Sequence, residues 1–216
     1  MDKEFLVSLP RGVYFVSGID TNVGKSYATG ILARELAAAG RSVTTQKLVQ
    51  TGCADTSEDI ELHRRLMGIE PTPEDLSGLT APEIFTYPCS PHLAARIDRR
   101  PLDIDKIERA TEALAALYDI VLLEGAGGLM VPLTDDLLTI DYVARHGYPL
   151  FMVTSGRLGS ISHTLLSLEA LSHRGITVTA LLYNAYPSLD DKTIETDTRD
   201  YLERHTGLPL LDIPLV

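Results

Sequence analysis

Apolar positions along the chain alternate between short continuous runs and helix-spaced stretches. The run Val13-Tyr14-Phe15-Val16 stops at Gly18, and residues 25–39 then put Tyr27, Ile31, Leu32, Leu36 and Ala39 near one helical face before Gly40. That is a strand, a loop and a helix with a glycine C-terminal stop. Residues 42–47 are β-branched and alternating, which predicts a second strand ending at Lys47. Ser57 is placed to cap a helix to Met67, and Ile104, Ile107, Leu114 and Leu117 share a face of a helix over 103–118. Asp119 opens the continuous run Ile120-Val121-Leu122-Leu123. Continuous apolarity of that length fits a central parallel strand covered on both faces. A short helix (139–147), a strand (149–154), a helix from Ile161, a strand (176–184), a helix (190–206) and a proline-flanked tail (208–216) complete the order. Residues 68–92 carry Pro71, Pro73, Pro82, Pro88 and Pro91 and read as an irregular insertion returning to a short helix at Leu93-Ala94-Ala95.

Strands alternating with helices predict an α/β fold, a doubly wound, mostly parallel sheet flanked by helices. At 216 residues with no internal repeat, one domain over 1–216 is expected. Composition narrows the partners. A formal net charge of −11 gives no broad attraction to nucleic acid or anionic membranes. The absence of Trp also argues against a stacking platform for single strands. Cys53 and Cys89 are too few for a disulfide framework and lack metal-ligand spacing. With an acidic start, Met1-Asp2-Lys3-Glu4, and no long apolar run, no signal peptide or membrane span is expected. The expected location is the cytoplasm.

Chemistry concentrates where strands end. Gly18-Ile19-Asp20-Thr21-Asn22-Val23-Gly24-Lys25-Ser26 is a glycine-bounded loop between a strand and a helix N-terminus. Its backbone N–H groups can surround a phosphate, Lys25 can reach the terminal phosphates, and the Ser26 hydroxyl can ligate Mg²⁺. Five residues separate Gly18 from Gly24, where the common phosphate loop has four. Lys47 and Thr51 fall at the carboxyl end of the second strand, the edge where open α/β sheets bind ligands. Glu124 ends a buried strand before Gly125-Ala126-Gly127-Gly128, and a buried carboxylate needs a cation or a hydrogen-bonding partner. A nucleotide-bound Mg²⁺ is the economical one. Glu58, Asp59 and Glu61, taken singly, fit a helix dipole. His63 follows Asp59 at a spacing able to share a metal, but a surface helix pair is the expectation. The loop 155–160 opens a second helix N-terminus able to take an anion.

Together these stretches resemble dethiobiotin synthetase. The resemblance runs from Tyr14 to Ile213-Pro214 and is carried by the loop 18–26, Lys47-Leu48-Val49-Gln50-Thr51-Gly52, Ser57-Glu58-Asp59, Ser90-Pro91-His92, Glu124-Gly125-Ala126-Gly127-Gly128, Arg157-Leu158-Gly159-Ser160-Ile161-Ser162-His163 and Asn184. The longer loop is itself a mark of that family. The resemblance implies a P-loop NTPase-like homodimer with ATP as co-substrate. In the implied reaction 7,8-diaminononanoate takes up CO₂ (or bicarbonate) as a carbamate, ATP phosphorylates it, and the neighbouring amine closes the cyclic urea. By the same resemblance, Asp20, Thr21, Asn22, Val23, Gly24, Lys25 and Ser26 hold the phosphates, while Asn184 and Pro214 face the base. Ser26, Asp59 and Glu124 hold Mg²⁺; Thr21, Lys25 and Lys47 act on the phosphoryl group and carbamate; Thr51, Gly127, Ser160 and Ile161 hold the substrate. Ile19, Asn22, Ser26, Leu48 and Ser162 depart from the family's commoner residues, and Ser26 keeps the hydroxyl that a metal needs.

Three other readings compete. An amidoligase domain of the cobyrinate-synthase kind normally carries a glutaminase domain for which there is no room. A ParA/MinD-like ATPase switch has a signature lysine where Asp20 stands. A nucleotide-sensing module without chemistry has no use for both Lys47 and Glu124.

Overall fold

The structure, a computed structural model, describes residues 1–185 and 192–214. A short helix α1 (Lys3–Ser8) leads into strand β1 (Gly12–Gly18), followed by α2 (Lys25–Ala38), β2 (Val43–Lys47), β3 (Gln50–Thr51) and α3 (Glu58–Met67). Next come α4 (Pro73–Leu76), β4 (Ile84–Phe85), α5 (Pro91–Ile97), α6 (Ile104–Leu117) and the long strand β5 (Ile120–Gly128). A hairpin of β6 (Pro132–Thr134) and β7 (Leu137–Leu138) precedes α7 (Thr139–His146), β8 (Leu150–Ser155), α8 (Ser160–His173), β9 (Val178–Asn184), α9 (Lys192–Thr206) and β10 (Leu210–Asp212).

The main sheet has six strands in the order β10-β9-β8-β1-β5-β2, every neighbouring pair parallel. Parallel pairing demands crossover connections, and the helical stretches between the apolar runs supply them. One core packs α1 and α2 on one face through Leu6, Ile31, Leu32 and Leu36 against Tyr14, Val16 and Leu122. The other packs Ile107 of α6, Val143 of α7, Leu171 of α8 and Leu202 of α9 against Phe15, Leu123 and Met152. Covered on both faces, β1, β5 and β8 read as the continuous runs seen in the sequence.

Register matters more than the layers. Val16 of β1 and Lys47 of β2 both lie beside Glu124 of β5, so β2 and β5 present a lysine and a glutamate together at the carboxyl edge. At that edge the chain leaves β1 into the loop 19–24, and Gly24 turns it into α2 at φ 89°. A Cβ there would stand 2.2 Å from Asn184 Nδ2 as well as strain the backbone, so the turn requires glycine.

The strand expected to end at Glu124 runs on as β5 to Gly128, because its pairing with β1 continues past a register shift to Gly18–Gly128. Four further features depart from the sequence reading. The N-terminus forms α1, capped by Asp2 but too short to show a helical period. The tail contributes β10, because Pro209 and Pro214 flank its pairing with β9 and do not interrupt it. The insertion 68–92 is tied to the site by the parallel pair β3–β4. The short helix after it begins at Pro91, ahead of Leu93, since proline suits the first helical turn. The expected start of the last helix at Asp190, the run Tyr186-Pro187, and Leu215 and Val216 lie outside the described residues.

Candidate active site

A cleft of about 460 Å³ opens at the carboxyl edge, lined by Thr21, Asn22, Gly24, Lys25, Ser26, Lys47, Thr51, Asp59, Glu124 and Gly127 among others. A second cleft of about 350 Å³ shares Thr21, Thr51 and Gly127 and adds Pro88, Cys89, Ser90 and Pro91 from the insertion. Residues far apart in sequence therefore meet because β1, β2, β5 and the start of α3 bring them to one place at the carboxyl edge.

The centre is a pair of carboxylates sharing one hydroxyl and one ammonium. Ser26 Oγ lies 2.7 Å from Asp59 Oδ1 and 2.8 Å from Glu124 Oε1. Lys47 Nζ lies 2.5 Å from Asp59 Oδ2 and 2.7 Å from Glu124 Oε1, and donates to Gly125 O at 3.2 Å. Burial alone would raise the pKa of Glu124, but the Lys47 charge and the hydrogen bonds from His63 and Lys47 outweigh it and hold the carboxyl well below the usual range. Burial opposes the Lys47 charge too, and the two carboxylates raise its pKa nonetheless.

These residues fit a divalent cation. A serine hydroxyl has a single proton and cannot donate to both carboxylates, so three oxygens converge at hydrogen-bond distance with one proton among them. Hard cations take such oxygen sets, and Mg²⁺ completes its shell with phosphate oxygens and water in preference to an all-protein cage. Among the described residues there is no group of three or more His, Cys, Asp or Glu side chains able to hold a metal alone.

The phosphate loop folds back on itself. Lys25 Nζ donates to the carbonyls of Asp20 (2.8 Å) and Thr21 (3.2 Å). Burial pushes its pKa down to about 8. The Asp20 carboxylate accepts from Thr21 N–H and pairs with Arg157, whose hydrogen bond lowers its pKa and links the loop to the start of α8. Val23 is buried, and its carbonyl accepts from Asn184 Nδ2 at 2.9 Å. The Tyr27 hydroxyl donates to Pro214 O, so Asn184 and Pro214 both stand against the loop–α2 junction.

At the second helix N-terminus, Gly159 caps α8 at φ 94°. Ser160 is turned inward: its Oγ lies 2.9 Å from Ser155 Oγ and its N–H donates to Arg157 O. Ile161 is half-buried one residue later, away from the Lys47–Glu124 centre and outside the residues lining either cleft.

One member of the site was misread from sequence. His63 is fully buried, not part of a surface pair; its Nε2 lies 2.9 Å from Glu124 Oε2. The signal was in the strand beneath it. Thr44, Thr45, Gln46 and Lys47 of β2 are all buried, and buried polar side chains require polar partners from the covering helix.

Comparison with known proteins agrees with this geometry. An AAA domain family model matches residues 12–214. The ATP-dependent dethiobiotin synthetase BioD 2 of Haemophilus influenzae is 56% identical over 82% of this chain and 93% of its own. The ATP-dependent dethiobiotin synthetase BioD of Chlorobaculum tepidum is 53% identical over 88% and 79%. Among solved structures, a ParA family ATPase from Chlorobium tepidum superposes with a TM-score of 0.55 at 15% identity, covering 96% of this chain and 86% of that one. The signal recognition particle receptor FtsY of Elizabethkingia anophelis gives 0.54 at 17%, covering 96% and 62%. At such identities the two structures share the P-loop fold and nothing finer. With relatives more than half identical over most of its length and a cleft furnished with a phosphate loop, two lysines and two carboxylates, the chain belongs to the ATP-dependent dethiobiotin synthetase family.

Proposed function

We propose that the chain, acting as one domain, closes 7,8-diaminononanoate, CO₂ and ATP into dethiobiotin, ADP and phosphate in biotin biosynthesis. The observation that carries this reading is the meeting of Lys25, Lys47, Asp59, Glu124 and Ser26 in one cleft that continues into a second. The reaction must bring two anions, a carbamate and a γ-phosphate, into contact, and a positive, preorganised site offsets their repulsion.

Ser26, Asp59 and Glu124 would hold Mg²⁺, which when bound supplies charge neutralisation for the triphosphate. Lys25 carries its charge at pH 7 and exchanges the Asp20 and Thr21 carbonyls for phosphate oxygens as nucleotide enters. Lys47, held between the carboxylates in the free protein, is within reach of both anions once those carboxylates have another partner. A carbamate oxygen attacks the γ-phosphorus and ADP leaves. The neighbouring amine then attacks the carbonyl carbon of the mixed anhydride and expels phosphate. Thr21, Thr51 and Gly127, common to both clefts, stand where diamine and phosphate meet. The Ile161 end of α8 takes the substrate carboxylate, and Asn184 and Pro214 line the base side.

A homodimer would give that carboxylate site its place. Leu158 and Leu166, 85% and 61% exposed, flank the N-terminal turns of α8 and favour an apolar contact there. The free thiols Cys53 and Cys89 suit the cytoplasm. Isotope transfer tests the chemistry: with oxygen-18-labelled bicarbonate, label must appear in inorganic phosphate, because the carbamate oxygen becomes the bridging oxygen. Phosphate free of label would exclude the mixed anhydride.

A further inference from the structure

A metal-binding carboxylate works only if the right oxygen faces the metal, and Glu124 cannot fix that by itself. It lies within β5 where the apolar run gives way to Gly125, its side chain fully buried, with Oε1 toward Ser26 and Lys47 and Oε2 turned into the protein. The group that meets Oε2 is His63, from α3.

A hydrogen-bonded chain stands behind His63. Arg64, which can only donate, is gripped by both oxygens of Asp75 at 2.8 Å each. Its Nη1 donates to Thr45 Oγ1 at 3.0 Å. The same Thr45 hydroxyl lies 3.0 Å from His63 Nδ1. Glu124 is ionised and can only accept, so the proton between it and the ring sits on Nε2 and is donated to Oε2. Gly30 of α2 lets α3 approach closely, since a Cβ there would meet His63 Cα at 3.1 Å.

We propose that His63 is a positioning residue for the cation site: it ties down Glu124 Oε2, through the chain Asp75–Arg64–Thr45, so that Oε1 stays aimed at the metal. The inference rests on the reading of Glu124 as a Mg²⁺ ligand. Hydrogen-bonded partners of metal ligands commonly contribute about 10- to 100-fold to metal affinity.

The test is Mn²⁺ binding to the full-length protein with saturating ADP, followed by the electron paramagnetic resonance of free Mn²⁺. His63→Leu, similar in volume but unable to donate, is expected to weaken Mn²⁺ about tenfold. His63→Gln, whose amide can still donate to Oε2, should stay within about threefold of wild type, a smaller loss than that range. ADP affinity in EDTA should be the same for all. A purely structural role would lower the melting temperature of His63→Leu with Mn²⁺ affinity intact, and that result overturns the proposal. Should His63→Leu fail to fold, Thr45→Val, which removes the hydroxyl that meets Nδ1, must weaken Mn²⁺ in the same direction; wild-type affinity there also overturns it. Glu124→Gln separates the two claims. If it leaves Mn²⁺ affinity unchanged, the metal reading of Glu124 fails; if it weakens Mn²⁺ and His63→Leu does not, only the positioning role fails.

Discussion

In the proposed mechanism Lys47 has two jobs, one in the free protein and one when substrates are bound. In the free protein it neutralises Asp59 and Glu124, and removing one partner of a buried ion pair costs about 3–5 kcal/mol. Lys47→Ala should therefore melt lower without ligands and recover on adding Mg²⁺ and ADP, as seen by differential scanning fluorimetry. The same variant should lose at least about a hundredfold in turnover, since a charge aimed at the transition state is gone, while nucleotide affinity changes little. Normal turnover would remove Lys47 from the chemistry. At Glu124, replacement by Gln should raise the Mg²⁺ concentration needed for half-maximal rate, and an unchanged magnesium titration would count against its metal role.

Asp75, at the far end of the chain behind His63, also carries a charge that the fold itself depends on. Burial would raise its pKa, but Arg64, Thr72 and Thr80 outweigh it and bring it down to about 2 from 3.8. A carboxyl lowered on folding stabilises fully above its unfolded value and stops doing so as pH falls through the folded one. The shift corresponds to about 2 kcal/mol, most of it lost between pH 4 and pH 2. Asp75→Asn should accordingly lose about that much at pH 7 and show a flatter acid limb in urea unfolding measured across that window. An acid limb as steep as wild type would contradict the assignment.

At the level of elements, the parts that could be read from sequence are those whose burial is symmetrical. β5 is covered on both faces and announces itself as an apolar run; the glutamate that follows the run stands out against it. α3 was harder. Its buried side carries His63 and Arg64 as well as Ile60, because it covers a polar strand. A helix read alone is assumed to bury its apolar residues, and Asp59 and His63 then look solvated. The pairings β3–β4 and β6–β7 are two or three residues long, below what alternation can reveal. The α2–α3 contact offers a direct check. Alanine favours a helix interior over glycine by about 1 kcal/mol, but a Cβ at Gly30 would meet Leu66 Cδ1 at 2.8 Å and a backbone atom of His63 at 3.1 Å. Overpacking of that kind costs about 1–3 kcal/mol, so Gly30→Ala should lower the urea midpoint. A raised midpoint would mean that α3 is free to shift.

For the molecule as a whole, the fold by itself leaves the choice between switch and enzyme open, since a ParA family ATPase shares it. What separates them is what stands on the sheet edge: Asp20 bound to Arg157 in the loop, Lys47 opposite Glu124 at the strand ends, and the insertion closing a second cleft beside the first. The assembly belongs to the same scale. If the proposed homodimer forms through α8, Leu166→Glu should shift sedimentation toward monomer and raise KM for the diamine more than for ATP; an unchanged sedimentation profile would contradict that contact. The most direct test of the account varies diamine and bicarbonate independently while phosphate release from ATP is followed. The account predicts release only when 7,8-diaminononanoate and bicarbonate are both present, and equal ATP turnover without the diamine would contradict it.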